Sequence, residues 1–244
     1  MIKKGRHISK ILGIKIDRTQ MDRVLKKVSF WVSSRGKRYI VTPNPEMVMM
    51  AQKDNKFKTV LNKADLAIPD GSGLRLADRR LERVTGEKTM NNLIELASQK
   101  KWRVFLLGGK NQASEKAAEK LRSKYQGLEI KGFSGPEELG NDKEKENQEM
   151  VERINQFKPH LLFVGFGQGK QEKWIADNLS NLKVKVAMGV GGSIDQVIKP
   201  WLRVPKVMES LSLGWLWRLV LQPWRIKRQL WLIKFWWLVL RGKN

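Results

Sequence analysis

The sequence contains no cysteine. That excludes a disulfide framework, a thiolate zinc site and a cysteine nucleophile. Its two histidines, His7 and His160, are far apart with no metal-ligand spacing, which argues against a zinc enzyme. Acids are scarce: 24 Asp and Glu stand against 48 Lys and Arg, a net charge of +24. Such an excess implies an anionic partner: nucleic acid, an anionic membrane surface or a phosphorylated substrate. No stretch reaches the roughly 18 to 20 uninterrupted apolar residues that a bilayer span needs. The basic start, MIKKGRHISKILG, has no apolar core of a signal peptide, so a cytoplasmic address is expected. Asp-x-Asp, the usual metal–diphosphate ligand of one class of nucleotide-sugar enzymes, does not occur. Neither does a P-loop or a GxGxxG fingerprint, so a nicotinamide dinucleotide has little support.

What is present is alternation. ILGIKI and RYIVTPN read as strands, each followed by a helical stretch, RTQMDRVLKKVSFWVSS and PEMVMMAQKDNKFKTVLNKA. ADLAIPD, WRVFLLGG, LEIKGF, HLLFVGFG and VKVAMGVGG are further apolar runs. MNNLIELASQKK, NQASEKAAEKLRSKY and GKQEKWIADNLSNL are the helical segments between them. The acidic PEELGNDKEKENQEMVERINQF reads as a solvated loop running into a helix. This βα rhythm predicts an α/β fold with a mainly parallel sheet.

In such sheets ligands bind beyond the carboxyl ends of the strands. Four of those ends are glycine-marked: IPDGSG, LLGGKNQASE, VGFGQGKQE and GVGGSID. Each alone is an ordinary tight turn as readily as a phosphate cradle; together they favour an anion site including Gly108, Gly109, Gly191 and Gly192. Asp70 ends a short apolar run among glycines, where its carboxylate can serve as a general base or cap a local Asx turn. Thr42 and Asn44 end another strand, with Pro43 enforcing an extended approach, and can serve a sugar ring or the turn itself. With no metal motif, a bound diphosphate needs Arg, Lys and helix dipoles to neutralise it. His160, at the start of a strand, reads as a capping or packing residue.

Composition changes near Lys199. From there to Asn244 ten Lys and Arg face one acid, Glu209, and seven of the ten tryptophans gather. The chain is therefore divided into a core, 1–198, and a helical appendage, 199–244. QLWLIKFWWLVL, broken by Lys234, is too short to span a bilayer. Lys227, Lys234 and Arg241 recur every seventh residue, the pattern of a helix lying on an anionic membrane surface. A helix packed into the core, or into a homo-oligomer interface, uses the same residues.

The ordered set TPNPEMVMMAQKD, ADLAIPDGSG, ERVTG, FLLGG, VGFGQGKQEKWI, AMGVGGSID, WLRVPK, LGWLWRL and PWRIKR resembles the WecG/TagA/CpsF glycosyltransferase family. The resemblance runs from about Ile11 to Arg228 and implies a Rossmann-like core catalysing metal-independent, inverting sugar transfer without a cofactor. It implies a UDP-sugar donor, foremost UDP-N-acetylmannosamine, and undecaprenyl-diphospho-N-acetylglucosamine as acceptor, in teichoic acid or surface-polysaccharide synthesis at the inner face of the cell membrane. UDP-N-acetylmannosamine uronate or UDP-glucose are alternative donors. By the same resemblance Asp70 is the base, with Thr42 beside it. Asn44, Arg83 and Gln171 belong to the pocket, and Arg218, Arg225 and Arg228 close over the diphosphate. The chain departs from the family at Lys88, where an acid is usual, in a shortened GSGLRLADRRLERV, in GFSGPEELG, and at Gln168-Gly169, where Ala-Pro is usual. These departures concern the donor side. A nucleic-acid-binding protein is the rival reading of another class; it lacks any RRM, KH or helix-turn-helix signature, and no nucleic-acid partner is expected.

Overall fold

A computed structural model describes residues 7–70, 72–135, 143–205, 207–208, 214–221 and 226–241. ILGIKI, expected as one strand, is a hairpin. Strands β1 (Ile8–Ile11) and β2 (Ile14–Asp17) pair antiparallel in a sheet of their own. Leu12 and Gly13 both take positive φ, 46° and 79°, and reverse the chain.

The main sheet has six strands: β3 (Arg38–Val41), β4 (Leu66–Ala67), β5 (Val104–Gly108), β6 (Ile130–Phe133), β7 (Leu161–Gly165) and β8 (Val186–Gly189). Their order is β4-β3-β8-β7-β5-β6 and every pairing is parallel. Helices cover both faces, so the central strands are apolar throughout instead of alternating with polar residues. Successive residues still point to opposite sides. Phe105, Leu107, Leu162, Val164 and Ala187 join the core under α2 (Pro45–Ala51), α3 (Asn55–Lys63), α7 (Lys143–Phe157) and α8 (Lys170–Asn178). Val104, Leu106, Leu161, Phe163, Val186 and Met188 join the other core. That second core lies under α1 (Met21–Ser33), α5 (Gly86–Lys100), α6 (Ala113–Lys124) and α9 (Ser193–Ile198).

PEMVMMAQKDNKFKTVLNKA, expected as one helix, is two. Asp54 leaves helical geometry, and its carboxylate accepts the Phe57 N–H at 2.9 Å to start α3. A short helix, α4 (Ser72–Ala77), follows the Asp70 turn.

Beyond a 3-10 turn at Pro200–Leu202 come α10 (Gly214–Leu221) and α11 (Ile226–Leu240). No helix among the described residues is long and apolar enough to cross a membrane. Helix α11 has two apolar faces. Phe235 is fully buried, and Trp231, Leu238 and Val239, at helical spacing from it, pack on the same core as α2. The Lys53 ammonium stands 4.9 Å over the Trp231 ring. Ile233, Trp237 and Leu240 point the other way, 67%, 48% and 83% exposed. Both readings of the tail therefore have a face: one is spent on the core, the other is open.

Candidate active site

The carboxyl ends of β4, β3, β8 and β7 frame a cleft of about 590 Å³. Backbone bonds carry the sheet pairing on into the site loops. Ile68 N–H reaches the Val41 carbonyl at 2.8 Å, and Asp70 N–H the Pro43 carbonyl at 2.9 Å. Asp70 and Thr42 are thereby held side by side. Val84 N–H then binds the Pro69 carbonyl at 3.1 Å, which brings Arg83 and the start of α5 to the same place.

Gly86, the first residue of α5, shows how close these groups lie. A Cβ there would stand 3.5 Å from Thr42 Oγ1 and 3.7 Å from Asp70 Oδ2. Thr85 caps that helix, accepting the Lys88 N–H at 3.3 Å. Its first turn, with Glu87 and Lys88, lines the cleft. Arg203, just past the 3-10 turn, pairs with Glu87 at 3.3 Å and draws Leu202–Val204 over the cleft, where Leu221 of α10 also contributes. The Asp70 carboxylate, the Thr42 hydroxyl and three cations, Arg83, Lys88 and Arg203, thus share one cavity with two further carboxylates, Glu87 and Asp195. It can deprotonate a hydroxyl beside a stabilised anion.

On the β7 and β8 side, Gln171 is buried and its amide is used at both ends. Its Oε1 accepts the Gly191 N–H at 2.9 Å, and its Nε2 donates to Glu172 Oε1 at 2.7 Å. Glu172 Oε2 accepts the Gly169 N–H at 2.7 Å. Burial raises the Glu172 carboxyl above the ordinary carboxylate range, against the pull of those two bonds. Gln171 lines the cleft and at the same time pins the Gly191 turn. Asn44 lines it too, its Oδ1 accepting the Met47 N–H at 2.9 Å as the cap of α2.

The structure gathers Thr42, Asn44, Asp70, Arg83, Gln171, Gly191 and Gly192 around one cavity. Gly108 and Gly109 are not in its lining. They serve packing: a Cβ on Gly108 would meet the Phe166 ring at 2.8 Å, and one on Gly109 the Ala113 methyl at 2.7 Å. Arg218 falls in α10 and Arg228 in α11, but their side chains lie outside the described residues, as does the whole of Arg225. Sequence reasoning did not single out Gly86, Thr85, Glu87, Asp195, Gln196 or Arg203. Asp195 lay within the quoted GVGGSID and could have been found there; burial raises its carboxyl, with Lys199 opposing. Thr85 and Gly86 lay within the quoted ERVTG, which ends two residues before Lys88, but only the fold carries that helix start to the ends of β3 and β4.

His160 is structural. Its Nδ1 accepts the Arg103 N–H at 2.9 Å, and burial, then Arg103 and Lys185, lower its pKa. A second cavity, about 470 Å³, lies between β5, β6 and α7 around Phe105, Phe133 and Phe157. Three of its cations are engaged: Arg103 with the Lys158 carbonyl, Arg153 with Glu149 at 2.7 Å, Lys131 over the Phe157 ring. Among the described residues it is lined by Glu129 but by no hydroxyl side chain, so the first cleft is the candidate active site.

Comparison with known proteins identifies the family. The model of the glycosyl transferase WecG/TagA/CpsF family matches residues 9–244. A protein of Staphylococcus aureus (strain MRSA252) named N-acetylglucosaminyldiphosphoundecaprenol N-acetyl-beta-D-mannosaminyltransferase is 32% identical over 225 residues, 89% of this chain and 86% of its own. Proteins of the same name from strains NCTC 8325 and COL match with the same identity and coverage.

Proposed function

Because the chain belongs to the WecG/TagA/CpsF glycosyltransferase family, we propose that it moves N-acetylmannosamine from UDP-N-acetylmannosamine onto undecaprenyl-diphospho-N-acetylglucosamine. The observation that carries the reading is that Asp70 and Thr42 both border the start of α5 in a cleft that Arg83, Lys88 and Arg203 also line. The names of the Staphylococcus relatives support the substrates. Teichoic acid or surface-polysaccharide synthesis is the setting that this acceptor implies.

The reaction is a single displacement. The acceptor hydroxyl attacks the anomeric carbon as Asp70 takes its proton. The bond from that carbon to the diphosphate breaks, and its electron pair leaves with UDP, inverting the centre. Arg83, Lys88 and Arg203 supply charge-assisted bonds to the departing diphosphate, and the arginines of the tail add to them. Charge neutralisation by cationic side chains makes the step independent of a divalent metal.

A second reading concerns the donor alone. Lys88 lines the cleft where the family usually carries an acid, which favours a donor with a carboxylate, such as UDP-N-acetylmannosamine uronate. One experiment tests both: a short-chain diphospholipid-N-acetylglucosamine acceptor is incubated with a panel of UDP-sugars, with and without EDTA, and the products are weighed. The expected result is a product heavier by one N-acetylhexosamine, formed at the same rate in EDTA. A uronate product selects the second reading. Loss of turnover in EDTA, restored by a divalent cation, rejects metal independence.

Helix α11 supports a peripheral position at the membrane. Ile233, Trp237 and Leu240 form its open apolar face; Lys234 is exposed, and Arg241 stacks on Trp237 at 3.6 Å. That is the arrangement by which a helix sits among anionic headgroups, where a polyprenyl-linked acceptor is held. Replacing Ile233, Trp237 and Leu240 together by serine leaves the Phe235 face intact. We expect wild-type thermal stability and loss of co-flotation with phosphatidylglycerol vesicles. Undiminished flotation rejects the anchor.

A further inference from the structure

Gln168 stands between two glycines in the turn from β7 to α8, and both glycines take left-handed backbone. Gly167 has φ +86° and Gly169 φ +83°. A proline, fixed near −65°, cannot occupy position 169 in this turn. An L side chain there would also press on Met50, whose Cε lies 2.9 Å from the ideal Cβ. The turn therefore follows a course that the Ala-Pro pair usual in the family cannot take, and this course sets Gln168 in the cleft lining beside Gly167.

The end of that side chain is buried, and its Oε1 has no hydrogen-bond partner among the described residues. Gln196 Oε1, on α9 in the lining of the same cleft, is buried and unpartnered in the same way. Its neighbour Asp195 adds a carboxylate to this lining. Buried acceptors without partners are costly and uncommon. Two that line one cleft call for O–H or N–H groups from what binds there. They also repel phosphate oxygens. The cleft thus has two regions: the cations Arg83, Lys88 and Arg203, with Glu87 among them, about the start of α5, and acceptors from the turn after β7 and from α9.

We propose that Gln168 is a specificity residue for the transferred sugar, its amide oxygen accepting from a hydroxyl or acetamido N–H of the donor's hexose. The assignment rests on the proposed UDP-sugar transfer. The diphosphate belongs with the cations, so a reader of donor groups falls on the neutral, hydroxyl-bearing part of the substrate. A site that hydrogen-bonds a substrate group discriminates well against analogues that lack it or hold it in the other configuration.

The test uses the full-length enzyme with UDP alone and with a set of epimeric UDP-N-acetylhexosamines. In Gln168→Ala the UDP dissociation constant should stay within about twofold of wild type. kcat/KM for the preferred donor should fall roughly 10- to 100-fold, and preference over the other epimers should narrow by a similar factor. Gln168→Asn, which keeps the amide but shortens its reach, should fall between the two. Both variants should melt like wild type, because the substitution leaves the two glycines untouched. If Gln168→Ala weakens UDP and UDP-sugars equally, the residue reads the nucleotide and the inference fails. Unchanged donor preference also overturns it. Wild-type enzyme that binds no UDP-sugar overturns the proposed function itself. Wild type that binds and transfers while the variants behave identically overturns only the role of Gln168.

Discussion

Asp70→Asn is expected to lower kcat for sugar transfer by about 10² to 10⁴, the usual cost of removing a general base. Folding should be unaffected, because asparagine has the shape of the carboxylate and keeps the backbone N–H that binds the Pro43 carbonyl. The amide is isosteric with the carboxylate but cannot take up the acceptor's proton. Donor binding should change little, since the cations that face the diphosphate remain. The check is the rate at saturating donor and acceptor, read beside the melting temperature. A variant that melts like wild type and transfers within a few-fold of it removes Asp70 from the mechanism.

The second large effect is expected far from the chemistry. Phe235 is fully buried in the core that α2 and α11 share. Phe235→Ala removes a ring from a packed site and should cost about 3 to 5 kcal/mol. For a chain of this size that lowers the melting temperature by roughly 6 to 20 °C. Activity should fall as well, because α2 begins at Asn44, whose side chain caps the helix and whose residue lines the cleft. Differential scanning fluorimetry and the transfer assay on the same preparation check the pair of effects. An unchanged melting temperature would show that α11 adds nothing to the stability of the core.

The two predictions bracket what was readable in advance. Asp70, Thr42 and Asn44 were legible because each ends an apolar run, and the end of a parallel strand is where such sheets bind ligands. The glycine turns were legible as turns, but their roles were not. Gly191 and Gly192 line the cleft, whereas Gly108 and Gly109 meet Phe166 and Ala113. The difference lies in strand order. With β8 between β3 and β7, the turn after β8 opens on the Thr42 loop, while β5 lies one strand further out, beyond β7. Nothing local to LLGGKNQ records that position.

Helix and strand type were carried by apolar periodicity, and the misjudged boundaries have local causes: the positive φ at Leu12 and Gly13, and the Asp54 cap. The tail makes the same distinction at a larger scale. Its composition announced an amphipathic basic helix, but periodicity cannot say which apolar stripe is covered. Tertiary packing puts Trp231, Phe235, Leu238 and Val239 on the core and leaves Ile233, Trp237 and Leu240 outside. By itself, then, the sequence determined the α/β class and the strand-end location of the candidate site. Only the tertiary structure decided which strand ends meet, that the start of α5 completes the cleft, and that Gln168 and Gln196 turn buried acceptors into it. Those are contacts between segments distant along the chain, and they arise from sheet order and side-chain packing instead of from any local pattern.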